Sequence, residues 1–237
     1  MGIRRGSIST PIIADGLVFN MDAANRASYS RTGTKTFNTI DTTNTGSLIN
    51  DVAFNTNPSS FEFGLDGIDD TIQFNSRIAE SNTQTDITIN IWFKTTGGGS
   101  SGIHGLINKI AVQTPGRSRI LVNDAGTIVY YTIGGAQSNV NISPAIPGNV
   151  WNNLTLTKDN MVGAKLYINS TLVYSNSNDT GIIRGTHTSV FAGTVLGIGA
   201  ESVYYMNGEI SNVMGYNRAL PANEVLHNYN ALKSRFE

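Results

Sequence analysis

Between Asp86 and Lys94 the chain sets Ile87, Ile89, Ile91 and Phe93 in strict alternation with Thr88, Asn90, Trp92 and Lys94. A period of two sends successive side chains to opposite faces of an extended backbone, so this stretch predicts a half-buried strand rather than a helix. The pattern recurs along the chain. Phe61, Phe63 and Leu65 alternate, Asp66-Gly67 supplies a turn, and Ile72 and Phe74 resume, which predicts a hairpin. Ile120 to Val122 and Thr127 to Tyr131 flank the turn residues Asn123-Asp124-Ala125-Gly126, and Leu166 to Ile168 and Leu172 to Tyr174 flank Asn169-Ser170-Thr171. Turns about ten residues apart mark an antiparallel β-sandwich. A helix of length is expected only near the end, where Pro221 suits a first helical turn and Val225, Leu226, Tyr229 and Leu232 recur at three- and four-residue steps.

A chain of 237 residues suits one large all-β domain, expected over 16–237. Met1 to Asp15 lacks periodicity and Pro11 interrupts its apolar cluster, so residues 1–15 read as an arm, either disordered or docked on a neighbouring subunit. Charged residues make up 14%, against about 25% on average, and the formal net charge is -1. No long-range field draws phosphate backbones or anionic lipid, which argues against nucleic acid and membrane as partners. Cysteine is absent, so neither a disulfide framework nor a thiolate site is available. The opening MGIRRGSISTPIIADG has no apolar run long enough for a signal peptide, and the expectation is folding in a reducing cytoplasm.

Five blocks follow one another in a telling order. They are Gly16 to Asn25 (GLVFNMDAAN), Phe61 to Phe74 (FEFGLDGIDDTIQF), Ile87 to Lys94 with its tryptophan, Trp151 to Val173 (WNNLTLTKDNMVGAKLYINSTLV), and Leu196 to Phe236 with Tyr216-Asn217-Arg218-Ala219-Leu220. In this order they resemble the concanavalin A-like, laminin-G-type jelly roll in the form carried by structural proteins of tailed bacteriophages. The chain departs from that pattern at Asn169-Ser170, where the family has Asn-Gly, and at Ser211, where it often has Asp. Because the second position of a tight mirror-image turn prefers glycine, a longer loop through Thr171 is expected there.

The resemblance implies an all-β fold, an antiparallel β-sandwich of jelly-roll type with a short C-terminal α-helix. It implies a non-enzymatic virion structural protein, a capsid decoration or tail-appendage component, contacting other capsid or tail proteins through residues 1–15 and forming homo-oligomers. The alternative is a carbohydrate-binding adhesin or receptor-binding lectin module that grips surface glycans.

Gly97-Gly98-Gly99-Ser100-Ser101-Gly102 spells a dinucleotide fingerprint, but no helical periodicity follows, so it reads as a hairpin loop. Glycosidases on the related jelly roll carry paired carboxylates on alternate positions of one strand; Glu209 to Val213 offers one. Asp66, Asp69 and Asp70 cluster in a turn, where carboxylates accept backbone N–H bonds. The functional alternative is a Ca²⁺ site, because hard cations take clustered carboxylate and carbonyl oxygens. Asp69 and Asp70 are then the first-choice ligands, ahead of Asp22 and Asn25. The adjacent pairs Tyr130-Tyr131 and Tyr204-Tyr205 each put one ring outward if extended, and Tyr204 and Tyr205, beside the loop-like Met206-Asn207-Gly208, are the preferred glycan contacts.

Overall fold

The strand signalled by the isoleucine alternation is an inner strand, β7 (Ile87–Thr95), of an antiparallel sheet. The structure is a computed structural model that describes residues 11–56, 61–78, 84–108, 118–133, 138–180, 196–201 and 203–237. Its first sheet runs in the order β14 (Thr171–Asn176), β13 (Gly163–Ile168), β12 (Asn152–Asp159), β7, β18 (Asn207–Tyr216), β5 (Glu62–Asp66) and β4 (Ala53–Asn55). The opening strand β1 (Leu17–Asp22) pairs with the second half of β18. The second sheet runs β11 (Ser138–Asn141), β10 (Ile128–Thr132), β9 (Arg119–Asn123), β8 (Ile103–Asn108), β15 (Leu196–Ile198), β6 (Thr71–Phe74), β3 (Thr45–Ile49) and β2 (Lys35–Phe37). A small hairpin of β16 (Ala200–Glu201) and β17 (Tyr204–Tyr205) packs near β8, and α1 (Ala222–Leu232) closes the chain. Two antiparallel sheets thus form a sandwich with one short C-terminal helix. No helix among the described residues is long and apolar enough to cross a membrane.

The residues that alternate inward build one shared core. Ile87, Ile89, Ile91 and Phe93 of β7 and Leu154 and Leu156 of β12 belong to it with Ile120, Val122, Val129 and Tyr131 of the other sheet. Phe19 of β1 meets Phe74 of β6 edge-on, ring centroids 4.9 Å apart, which joins the sheets through an aromatic pair.

β7 is buried on both faces, not half-buried as its alternation predicts. Thr88, Asn90 and Trp92 are as hidden as the isoleucines between them, because α1 and the chain ends cover this outer face. Trp92 stacks near-parallel with Tyr229 at 5.4 Å and Phe236 at 4.2 Å. The Thr88 hydroxyl donates to the Arg218 carbonyl at 2.9 Å and accepts the Leu220 N–H at 2.8 Å. Asn90 donates to Asn153 Oδ1 at 3.0 Å and to Thr155 Oγ1 at 2.6 Å, so the Thr88 and Asn90 side chains are satisfied within the protein, whereas Trp92 Nε1 is buried without a partner.

Of the expected arm, residues 1–10 lie outside the described residues. The remainder is packed: Ile12 and Ile13 join a second apolar cluster of Tyr167, Met214, Tyr216, Leu220 and Val225. The Ile13 N–H donates to Asn228 Oδ1 at 2.8 Å, and the Tyr216 hydroxyl donates to the Ile13 carbonyl at 3.0 Å. Asn228, a polar residue, is therefore among the buried positions of α1, while Leu226 of the expected apolar stripe is 47% exposed.

Two turns differ from expectation. Ile168 pairs with Thr171, and Asn169 and Ser170 between them have φ of 48° and 63°. This is the tight two-residue turn, not a longer loop through Thr171. Asn169 holds it by accepting the Asn153 N–H on its side-chain oxygen at 2.8 Å and donating its own N–H to the Asn153 carbonyl at 2.8 Å. The Asp66-Gly67 turn, in contrast, closes no hairpin, since β5 lies in the first sheet and β6 in the second.

Candidate binding groove at a sheet crossing

Because β5 and β6 belong to different sheets, the Asp66 to Asp70 connection spans the rim of the sandwich. The Asn50 to Val52 connection does the same between β3 and β4. The two crossings lie side by side, and the Asn50 side-chain amide donates to the Asp69 carbonyl at 3.0 Å. Asn50 and Asp51 both take positive φ, 59° and 62°, a conformation that short polar side chains tolerate. Between the crossings and the start of β18 lies a groove of about 320 Å³, lined by Asp51, Asp66, Asp70, Thr96 and Glu209 among others.

Each carboxylate reaches this place for a local reason. Asp66 Oδ1 accepts the Ile68 N–H at 2.8 Å and that of Asp69 at 3.4 Å, folding the chain back on itself as an Asx turn does. Gly67 has φ of 80° and lies against Asn207, so close that a Cβ would meet that side chain at 2.8 Å. The turn presents Asp69 to solvent and folds Asp70 inward, 4% exposed, where its Oδ2 accepts the Asp66 N–H at 3.1 Å. Asp70 Oδ1 is buried without a hydrogen-bond partner. Burial above all, with the negative charges of Asp66, Asp69 and Asp51, pushes the Asp70 carboxyl up to about 6, against the opposing pull of the Asp66 N–H. Glu209, opposite Lys94 in the β18 to β7 ladder, forms an ion pair with it at 2.8 Å.

Ligand oxygens of Asp66, Asp69 and Asp70 lie within 4.8 Å of one another. An all-oxygen set with one buried, unpartnered carboxylate oxygen fits a hard divalent cation such as Ca²⁺. The other sequence candidates are elsewhere. Both oxygens of Asp22 are taken by Arg235, and Oδ1 also accepts the Ala24 N–H, which removes Asp22 as a free ligand; Asn25 Oδ1 caps the Ala27 N–H. Tyr204 and Tyr205 are half-buried in the small hairpin, with the Arg119 guanidinium 5.9 Å from the Tyr204 ring centre, and neither lines the groove. Tyr131 is buried in the core. The glycine-rich run forms a short 3-10 turn, Ser100–Gly102, and leads into β8 rather than a helix.

Two groove residues escaped sequence reasoning as partners of the aspartates, Asp51 and Glu209. Asn50-Asp51 carries a turn signal, but nothing in the sequence says that its turn and that of Asp66 are neighbours.

A laminin-G-type family model, described as the concanavalin A-like lectin/glucanases superfamily, matches residues 65–226. Domain 4 of a GH43 extracellular arabinanase from Geobacillus stearothermophilus, solved in complex with arabinotriose, superposes with a TM-score of 0.64 at 17% identity, over 90% of this chain and 98% of that one. The binding domain of Paraclostridial Mosquitocidal Protein 1 gives 0.67 at 16% identity, over 91% of this chain and 52% of that one. A Trypanosoma rangeli sialidase in complex with 2,3-difluorosialic acid gives 0.63 at 13% identity, over 96% of this chain but only 36% of the sialidase chain. At these identities the likeness is one of fold. No curated protein matches the sequence.

Proposed function

The chain belongs to the concanavalin A-like lectin/glucanases superfamily, and from that premise we propose that it is a carbohydrate-binding module that holds its ligand without cleaving it. The observation that carries the reading is the groove at the sheet crossing, which is lined by the polar residues Asn50, Asp51, Asp66, Thr96 and Glu209. Sugar hydroxyls are donors and acceptors at once, and a few convergent polar groups fix their orientation. The arabinanase domain of similar fold was solved with arabinotriose, which supports the same use here. We place the ligand in the groove rather than on Tyr204 and Tyr205, whose rings are half-buried in their hairpin. Glycoside cleavage through a two-acid strand needs a second carboxylate on the face of Glu209; beyond the bulge at Ser211 that face carries Asn212 and Met214, and Glu209 is engaged by Lys94.

Ca²⁺ held by Asp66, Asp69 and Asp70 is part of the proposal. When bound, the cation supplies positive charge and open coordination positions at the groove. The test is calorimetric titration of the whole chain with neutral oligosaccharides, with and without Ca²⁺, for wild type and Asp66→Asn. Saturable binding weakened by the substitution is expected, with the oligosaccharide recovered at full length; absence of saturable binding to every sugar overturns the reading.

A second reading concerns where such a module works. The order of sequence blocks supports a place in a tailed-phage particle, as capsid decoration or tail appendage. Quantitative mass spectrometry of purified particles from the source tests it: hundreds of copies per particle would indicate decoration, a few to tens an appendage, and none overturns the virion reading.

A further inference from the structure

The groove is one-sided in charge although the chain as a whole is nearly neutral. Asp51, Asp66, Asp70 and Glu209 line it, Asp69 completes the cluster with Asp66 and Asp70, and no basic residue is among the lining residues. Lys94 is the cation beside it, and its ammonium is committed to Glu209 at 2.8 Å. The groove also has a buried anionic floor: Asp70 is 4% exposed, lines the groove, and carries Oδ1 without a donor. Charges gathered in a concave site with a low-dielectric wall act on a ligand more strongly than the same charges spread over a surface.

Resting on the carbohydrate-binding reading above, we propose that in its metal-free state this groove selects sugars by charge: it favours amino sugars bearing a free ammonium, admits neutral sugars, and excludes sugars bearing a carboxylate. An ammonium supplies three N–H donors and a positive charge to a set of oxygens that are all acceptors. A neutral sugar offers hydroxyl donors to the same oxygens. A uronate or sialate brings a further anion among Asp51, Asp66, Asp70 and Glu209, and its own oxygens find no donor of opposite charge among the lining residues. The exclusion is a repulsive element and acts through specificity more than through affinity. The sialidase neighbour was solved with a sialic acid derivative, but this chain matches only 36% of it at 13% identity, and a shared fold does not transmit a ligand preference.

The experiment compares two matched pairs of probes with the full chain in chelator at pH 7 and low salt. Glucosamine oligomers are set against the same oligomers N-acetylated, and methyl-esterified galacturonan fragments against the same fragments de-esterified. Within each pair the ring framework is constant and the charge changes. Expected are an affinity at least about tenfold higher for the free amine than for the acetylated form, and the loss of galacturonan binding on de-esterification. Asp51→Asn and Asp66→Asn each remove a charge, and Asp66→Asn keeps the oxygen that accepts the Ile68 N–H. Each should shrink the amine preference and its salt dependence, whereas Asp41→Asn, an exposed acid that does not line the groove, should leave both unchanged. Equal affinities within each pair, or an amine preference that Asp41→Asn reduces as much as Asp66→Asn, overturn the proposal while leaving carbohydrate binding intact. Binding of none of the four probes, where neutral sugars also fail to bind, removes the reading on which it rests.

Discussion

Arg235 holds Asp22 in a two-pronged fork, Nη1 donating to Oδ2 at 3.0 Å and Nη2 to Oδ1 at 2.9 Å. The pair ties the last turn of the chain to the end of the opening strand. It also seats the next residue, Phe236, against Trp92 at 4.2 Å and Trp151 at 4.9 Å. Both partners are largely shielded, with side chains 20% and 16% exposed. Bidentate geometry at such a site is worth more than an exposed ion pair. Arg235→Ala should cost about 1–3 kcal/mol, and the tryptophan emission should shift to the red as Trp92 and Trp151 gain water. A thermal melt and an emission spectrum read both; an unchanged melt would mean that the fork contributes nothing beyond a surface contact.

Asp70 makes the stability of the metal-free protein depend on pH with a defined sign. Its carboxyl is raised from 3.8 to about 6 in the folded chain, so the folded state binds the proton more tightly than the unfolded one. The stability it contributes is fully present below pH about 4 and is lost as pH rises through about 6. Asp70→Asn keeps an acceptor for the Asp66 N–H and never ionises. In chelator, the melting temperature of wild type relative to this variant should fall between pH 4 and 6.5, and at pH 7 the variant should be more stable by about 1–3 kcal/mol. A difference that stays flat across that range would refute the assignment.

Calcium should reverse the handicap that the clustered carboxylates impose. A ligand that binds only the folded chain stabilises it by about 2.7 kcal/mol at a concentration one hundred times its Kd. Millimolar Ca²⁺ should therefore raise the melting temperature by several degrees, and Asp69→Asn, at an exposed position, should reduce that rise without lowering the metal-free value. A melt indifferent to millimolar Ca²⁺ would return these aspartates to turn formation alone.

The turn between β13 and β14 carries a removable strain. Ser170 sits at φ of 63°, in the left-handed region where a Cβ crowds the following carbonyl. Ser170→Gly creates the favoured Asn-Gly pair of this turn type and should stabilise by about 0.5–1 kcal/mol. Denaturant unfolding measures it, and a destabilised variant would show that the serine side chain contributes more than its backbone costs.

Turn residues located β9, β10, β13 and β14, which flank them, and period-two alternation located β5, β6 and β7 because a strand's two faces are written in its own residues. It placed Ile87 to Phe93 in the core correctly, yet it left Thr88, Asn90 and Trp92 facing solvent. Their partners are Tyr229 and Phe236 on Trp92, Arg218 and Leu220 on Thr88, and Asn153 and Thr155 on Asn90, all far from β7 in the chain. The clustering of Asp66, Asp69 and Asp70 was legible for the same local reason. Asp51 and Glu209 were not, because alternation says nothing about which sheet a strand joins, and only the crossing of β5 to β6 beside that of β3 to β4 brings them to one groove. The Asn169-Ser170 turn was misjudged because residue preference was weighed without the two Asn153 bonds that pin it.

The paired crossings have a mechanical consequence. Each sheet is internally laced by backbone hydrogen bonds, while the layers are joined by side-chain packing and by the places where the chain itself steps across. At this rim two such steps lie together, cross-tied by the Asn50 amide on the Asp69 carbonyl. Any slip of one layer over the other must shear them apart. A molecule seated between them works as a rivet through the seam, and under load the protein should yield last where it is occupied.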